Sequence, residues 1–350
     1  MLLAGCSLTP EKARARLAKR HIAFSVESMR TAIQKGEPET VKLFLAAGMD
    51  PNRLPDANPG RPLPEDNLRL ALRSGNKEII KALLAKGVNV NYRNYNGETP
   101  LFSSLLKDDS EVVKLLLDYN ADLNIVSNYG QEVTVTAVLI GRLEALRLFL
   151  AKGSSVNAED RYGRTLLFHA AGSNNSEMLK FLLEAGGDIN RADQTGITPL
   201  MQAINSNRLD NVRLLLASGA DAYGRDLKGN SPLMLAAAQN RLETMRALLD
   251  RGVTADAGAL TKAAEVGHAE AVRLLLERNH SALVPFAGEA LALAAANGNA
   301  SVVQILLDYG VPVDSRDTYG ETALVKATRH GHSGTVKVLQ ERGAEVQPLR

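Results

Sequence analysis

The sequence predicts an all-α solenoid of about ten stacked helix-turn-helix repeats with short β-hairpin loops between them. Periodicity carries this prediction. Gly97, Gly130, Gly163, Gly196 and Gly229 stand 33 residues apart, and Asn91, Asn124, Asn157 and Asn190 keep the same step, as do Asp160, Asp193 and Asp226. A period between about 20 and 50 residues marks units that cannot bury an apolar face alone and must stack to make a core. An apolar helix motif recurs in register at Ile80 to Leu84, Val113 to Leu117, Leu146 to Leu150, Leu179 to Leu183, Val212 to Leu216 and Met245 to Leu249. Composition agrees: Leu, Ala and Val dominate the apolar residues and Trp is absent, which suits slender paired helices.

The lead-in to each repeat is also spelled out. Gly97-Glu98-Thr99-Pro100-Leu101, Gly196-Ile197-Thr198-Pro199-Leu200 and Gly229-Asn230-Ser231-Pro232-Leu233 share one pattern, with weaker copies at Thr165 to Ala171 and Thr322-Ala323-Leu324. Thr or Ser can accept a backbone N–H at the helix start, Pro sits where no N–H is needed, and Gly admits the positive φ of a tight turn. These motifs resemble the turn-into-helix signature of ankyrin repeats. The resemblance implies protein recognition on the concave face formed by hairpin tips and inner helices.

Taken in order, residues 1–6 form a separate segment. Leu3-Ala4-Gly5-Cys6 resembles the lipobox of bacterial lipoproteins, which implies lipidation of Cys6, the sole cysteine. Two locations follow: a periplasm-facing, lipid-anchored protein of a bacterial envelope if the true start lies upstream of Met1, or a cytoplasmic one otherwise. Residues 7–22 read as a basic leader helix, capped by Thr9 with Pro10 and Glu11 in its first turn and Lys12, Arg14, Arg16, Lys19 and Arg20 after them. This leader either rests on anionic lipid headgroups or covers the end of the stack as a solvated helix. The second reading is the expectation.

The repeat domain is expected over residues 23–347, leaving 348–350 as a tail. Pro51, Pro55, Pro59, Pro62 and Pro64 exclude regular structure over 51–64, an inter-repeat loop about six residues longer than its neighbours. After Met245 the helix step shortens to 27 at Val272, then runs 31 to Val303 and 33 to Val336. Residues 253–288 are therefore irregular, and the repeat containing Leu260 should have a stunted hairpin. In the last repeat, Lys326, Arg329, His330, Lys337, Gln340 and Arg342 can supply a polar outer face.

Charge and motif content narrow the function. Lysine and arginine total 41 against 39 acidic residues, so bulk charge does not favour nucleic acid. The second-helix motif carries Lys42, Lys81, Lys114, Arg147, Lys180, Arg213, Arg246, Arg273 and Lys337 in a column. Three residues earlier stand Glu39, Glu78, Glu111, Glu144, Glu177, Asp210, Glu243 and Glu270, which should pair with them along each helix and neutralise the column. No phosphate loop, nucleophile elbow or His-Glu-x-x-His motif is present. No enzyme activity, cofactor or metal site is expected. A metal shared by His330 and His332 would lack further ligands nearby in sequence.

What remains is a recognition surface. Tyr129, Tyr162 and Tyr319 each precede a turn glycine, Tyr95 lies one position further back, and Arg93, Arg161, Arg225, Lys228 and Arg316 stand on the same tips. Tyr and Arg dominate interface hot spots, so these nine residues are the candidate partner-binding set. The expected function is a monomeric, non-catalytic scaffold for another protein, with membrane attachment through Cys6. The alternative is a soluble or secreted ankyrin effector that regulates a partner enzyme.

Overall fold

Helical pairs stack side by side within each of two units in the computed structural model, which describes residues 8–55 and 65–345. Cys6, Pro59, Pro62, Pro64 and the tail lie outside the described residues. The chain divides into two units, residues 1–161 and 162–350.

In the first unit the leader is α1 (Pro10–Lys19), followed by α2 (Val26–Lys35), α3 (Pro38–Ala46), α4 (Asn67–Ser74), α5 (Lys77–Ala85), α6 (Pro100–Ser104), α7 (Ser110–Asp118), α8 (Val133–Leu139) and α9 (Leu143–Ala151). Helices α2, α4, α6 and α8 pack in one layer. In the second layer, α1, α3 and α5 pack in succession and α7 packs on α9. The leader is thus a folded cap rather than a solvated arm: Ala13 and Leu17 are buried, the Arg14 guanidinium lies 4.6 Å from the Phe24 ring centroid, and Phe24 stacks on Phe44.

The second unit holds α10 (Leu166–Gly172), α11 (Ser176–Glu184), α12 (Pro199–Asn205), α13 (Leu209–Ala217), α14 (Pro232–Ala238), α15 (Leu242–Asp250), α16 (Ala257–Val266), α17 (Ala269–Leu283), α18 (Gly288–Ala296), α19 (Ala300–Asp308), α20 (Ala323–Arg329) and α21 (Ser333–Glu341). Even-numbered helices form one layer and odd-numbered helices the other. Between the layers the motif leucines Leu166, Leu200 and Leu233 are buried, as are Leu179, Val212, Met245, Val272 and Val303 from the second helices. Truncating such a leucine to alanine costs about 2–5 kcal/mol.

The Thr and Ser lead-ins follow the capping chemistry, with one exception. Thr165, Thr198, Ser231 and Thr322 each accept the backbone N–H three residues on. Thr99 does not, and its buried hydroxyl has no partner. Here α6 is cut to five residues and passes into a 3-10 turn, leaving Leu106 exposed.

In six of the repeats one residue joins the two layers and the neighbouring repeats, whereas the equivalent Arg241 leaves its buried Nε without a partner. In the first unit, Arg142 follows a positive-φ glycine, donates its backbone N–H to Ala137, and reaches the Leu105 carbonyl with Nε at 2.7 Å. Asn76 makes the equivalent side-chain bond to the Gly36 carbonyl at 3.2 Å. In the second unit, Arg208 reaches Gly172 at 3.1 Å, His268 reaches Ala238 at 3.1 Å, Asn299 reaches Ala264 at 3.0 Å, and His332 reaches Ala296 at 2.9 Å. Each of these four follows a left-handed Gly or Asn and, like Arg142, donates its own N–H back into the helix it closes, a Schellman-type ending. Each stands at the N-cap of the following helix, and its side chain satisfies carbonyls that the preceding repeat's helix end leaves open.

The Pro-rich insertion is pinned at its base. Buried Asn67 donates to the carbonyls of Pro51 at 2.8 Å and Arg53 at 3.0 Å, while Arg30 donates to the Glu65 carbonyl at 2.7 Å. The irregular region lacks two tips: residues 251–256 and 284–287 connect helices directly, and α17 is kinked at Asn279.

Two glycines on the same 33-residue step separate backbone strain from steric contact. Gly196 has φ +82° and a Cβ there would stand 2.8 Å from the Leu227 nitrogen, whereas Gly229 has φ +80° and open space around it. Gly229→Ala should cost about 1–2 kcal/mol, the left-handed penalty alone. Gly196→Ala should cost clearly more, and chemical denaturation of the two variants measures the difference.

Candidate functional site

The tips are built as five-residue turns closed by one side chain. Asn94, Ser127, Asp193, Asp226 and Asp317 occupy the first position, and each backbone carbonyl accepts the N–H of the glycine three residues on. Each side-chain oxygen also accepts the N–H groups of the third and fifth tip residues. Asn94 receives those of Asn96 and Glu98, both at 2.9 Å, and Asp226 receives those of Lys228 at 2.9 Å and Asn230 at 2.8 Å. Ser127, Asp193 and Asp317 repeat the arrangement. This explains the periodic aspartates: an acceptor is needed where two N–H groups converge. The expected hairpins are therefore turns without strand ladders, and isolated bridge residues stand at Glu159, Thr165, Arg316 and Thr322 among the described residues.

Adjacent tips are also tied to one another. In the first unit, Asn128 donates its N–H to the Asn96 carbonyl at 2.7 Å and its side chain to the Tyr95 carbonyl at 2.8 Å. In the second unit, Gln194 donates to Tyr162 and Leu227 to Thr195, both at 3.0 Å. With its polar backbone satisfied, each tip is a fixed platform. Some second- and third-position side chains join that frame, as Asn128 and Thr195 do, while Tyr95, Leu227 and Tyr319 project from it.

This geometry divides the nine sequence candidates. Three arginines act as staples: Arg93 donates to the Val126 carbonyl at 2.9 Å, Arg225 to Gly229 at 2.6 Å, and Arg316 to Gly320 at 2.6 Å. Arg225 also faces Asp256 at 3.6 Å. The Arg161 side chain lies along Gly130, and Tyr162 lies beneath the Arg164 guanidinium at 4.4 Å. Tyr129 is half exposed and bonds Asn96 through its hydroxyl at 3.3 Å. Tyr95 and Tyr319 project furthest of the nine, 79% and 82% exposed, and Lys228 is exposed on its own tip. Leu227, missed from sequence, is 80% exposed at the position equivalent to Tyr95. Its signal was an apolar residue at a turn position with no core duty. Phe286, in the tip-less connector, is exposed as well.

Charges on the second helices pair less simply than spacing implied. Glu39 with Lys42, Glu144 with Arg147 and Glu243 with Arg246 form the expected pairs at 3.0, 3.3 and 3.6 Å. Glu78 instead bonds Lys42 of the preceding repeat at 2.9 Å, Glu111 bonds Lys77 at 2.5 Å, and Lys180 turns to Glu184 at 3.9 Å. In the last repeat Lys326 is not an outer-face residue: it is buried, pairs with Asp317 at 2.5 Å, and lies 5.5 Å from the Tyr319 ring centroid. His332 spends its Nε2 on Ala296 and stacks with His330, which leaves that pair poorly arranged for a metal. No group of three metal-ligating side chains occurs among the described residues. Nor is any described helix long and apolar enough to cross a membrane.

Repeated helical pairs, two layers and aspartate-closed tips define a stacked-repeat recognition fold. The chain belongs to the ankyrin-repeat family: the family model "Ankyrin repeats (3 copies)" matches residues 29–127, 134–226, 219–285 and 260–349. Among solved structures, it is similar to the ankyrin repeat domain of Bcl-3, at 25% identity and a TM-score of 0.55 over 63% of this chain and 97% of that one. It is similar also to the human ASB11 ankyrin repeat domain, at 28% identity and a TM-score of 0.54 over 61% and 99%. Two rice (Oryza sativa subsp. japonica) proteins, the probable E3 ubiquitin-protein ligases XBOS33 and XBOS32, are 38% identical over 93 residues and 35% identical over 99. These matches cover 25% and 27% of this chain, which spans only 18% and 20% of the rice proteins. Ankyrin repeats generally bind protein partners and are typically non-catalytic.

The buried tip acids make stability depend on pH. Burial pushes the Asp226 carboxyl up, but hydrogen bonds from the Asn230 side chain and from the Asn230 and Lys228 N–H groups outweigh it and hold the group below its ordinary value. Such a group stabilises the fold above the unfolded carboxylate value near pH 4, and that stability is lost as pH falls through the lower folded value. Asp226→Asn keeps an acceptor, as Asn94 does naturally, and should flatten the loss of thermal stability between about pH 4 and pH 2 relative to the parent. Equal slopes for the two proteins would show that the tip acid contributes nothing.

Proposed function

We propose that this chain is a non-catalytic scaffold that binds a partner protein along its tips, through the second- and third-position side chains. One observation carries the reading: Tyr95, Leu227 and Tyr319 project from tips whose own hydrogen bonds are already satisfied. Rigid aromatic and aliphatic side chains on fixed turns lose little entropy on binding, which is what interface anchors require. Arg93, Arg225 and Arg316 support those turns rather than face the partner. Ligase activity is not carried over from the rice proteins, because the similarity is confined to about a fifth of their length. Two open surface hollows measure about 150 Å³, beside Lys77 and Glu111, and about 320 Å³, beside Asn120 and Lys152; the second just reaches the roughly 300–1,000 Å³ of ligand pockets, and its lining is mostly polar. We also read Cys6, in Leu3-Ala4-Gly5-Cys6, as a lipid attachment site that places a monomeric scaffold at a bacterial envelope membrane; this rests on the sequence pattern alone.

A photo-crosslinking side chain placed at Tyr95 or Tyr319 in the native host should capture one discrete partner. The same probe at Lys180, on the exposed face of α11, should not. Capture from Lys180 alone would move the site to the outer helices. The intact mass of the membrane-extracted protein checks Cys6, since an acylated Cys6 must be the first residue.

A further inference from the structure

The leader helix carries a charge pattern that the tip-binding reading leaves unused. From Pro10 to its C-cap Arg20, five cations face one acid, a net +4 in a chain whose total is +2, so the rest of the chain carries −2. Arg14 is committed to the fold, donating to the Ala47 carbonyl at 3.3 Å and covering Phe24. The other four, Lys12, Arg16, Lys19 and Arg20, are exposed and form no ion pair among the described residues. Their spacing puts Lys12, Arg16 and Lys19 on one stripe, adjoining the face of buried Ala13 and Leu17, with Arg20 at its end. By contrast, the cations Lys42 and Lys77 on the neighbouring second-layer helices each hold two carboxylates. The leader stripe thus presents concentrated positive charge on a helix anchored along the adjoining face that carries Ala13 and Leu17.

We propose that the Lys12, Arg16, Lys19 and Arg20 face of α1 docks on the anionic headgroups of a bilayer and holds the first unit against it. The surface suits lipid better than nucleic acid. Ten residues of helix give a stripe about 15 Å long that offers only flexible cations. Phe24, the partly exposed ring against the leader, is already engaged by Arg14 and Phe44 rather than offered for stacking on bases. A polybasic face of this kind gains about fivefold in membrane partition per Lys or Arg near an anionic surface. The proposal deepens the anchoring reading of Cys6, yet headgroup contact requires no acyl chain, so the two can be tested apart.

The test uses the full chain carrying Cys6→Ser, which removes any lipid, and vesicles of phosphatidylcholine with or without about a third phosphatidylglycerol. Co-sedimentation should be at least tenfold stronger with the anionic vesicles and should vanish at high salt, where screening is short-ranged. The Lys12→Glu/Arg16→Glu/Lys19→Glu/Arg20→Glu variant should lose it by about a hundredfold or more with its helical circular dichroism unchanged. Equal binding to neutral vesicles, undiminished binding by the variant, or tighter binding to duplex DNA than to anionic vesicles would each overturn the proposal. Failure here would leave the mass test of Cys6 standing, and the reverse also holds.

Discussion

Everything in these two units depends on the hydrogen bonds made where the first helix of a repeat ends. A helix terminus leaves carbonyls without partners, and a stack of short helices multiplies that cost. Here the residue that follows the left-handed turn closes one helix with its N–H, opens the next as its N-cap, and sends its side chain to the preceding repeat's open carbonyls. Arg142 does this in the first unit, and Arg208, His268, Asn299 and His332 do so in the second. Since a carbonyl can only accept, the His268 and His332 nitrogens facing it carry the proton. Hydrophobic burial supplies the driving force for stacking, but it is non-directional. Where they are made, these bonds set the register of one repeat on the one before.

The tips apply the same economy to the edge of the fold. An acceptor at the first position gathers two N–H groups, the glycine closes the turn, and backbone bonds such as Asn128 to Asn96 join one tip to the next. Structure occupies the first, fourth and fifth positions. The second and third carry Tyr95, Tyr129, Leu227, Lys228 and Tyr319, which differ from tip to tip, although Asn128 and Thr195 there also hold the frame. Recognition can therefore vary without disturbing the scaffold, as a repeat family that binds many partners requires.

Much of this was legible in the sequence. The glycine step, the Thr-Pro-Leu lead-ins and the helix motifs located the repeats because those positions demand one residue type. The helix-end residues were not legible as a set: Asn, Arg and His all donate to a carbonyl, so no single letter recurs. Nor does spacing say where an arginine points. Arg93, Arg225 and Arg316 have hot-spot chemistry but short routes to tip carbonyls, and those bonds hold them. Thr99 shows the limit from the other side. It has the capping letter, yet the helix it should cap collapses into a 3-10 turn after five residues and the bond is not made.

The central claim is that the tips are rigid platforms rather than mobile loops. Native-state hydrogen exchange at the tip amides tests it most directly, because loop amides open at almost no free-energy cost while platform amides open only with their repeat. The N–H groups of Asn128, Gln194 and Leu227, each bonded to the neighbouring tip, should be protected nearly as well as those of the adjoining helices. Exchange at the rate of an unstructured loop would contradict the account, and the projecting tyrosines would then be side chains on flexible loops.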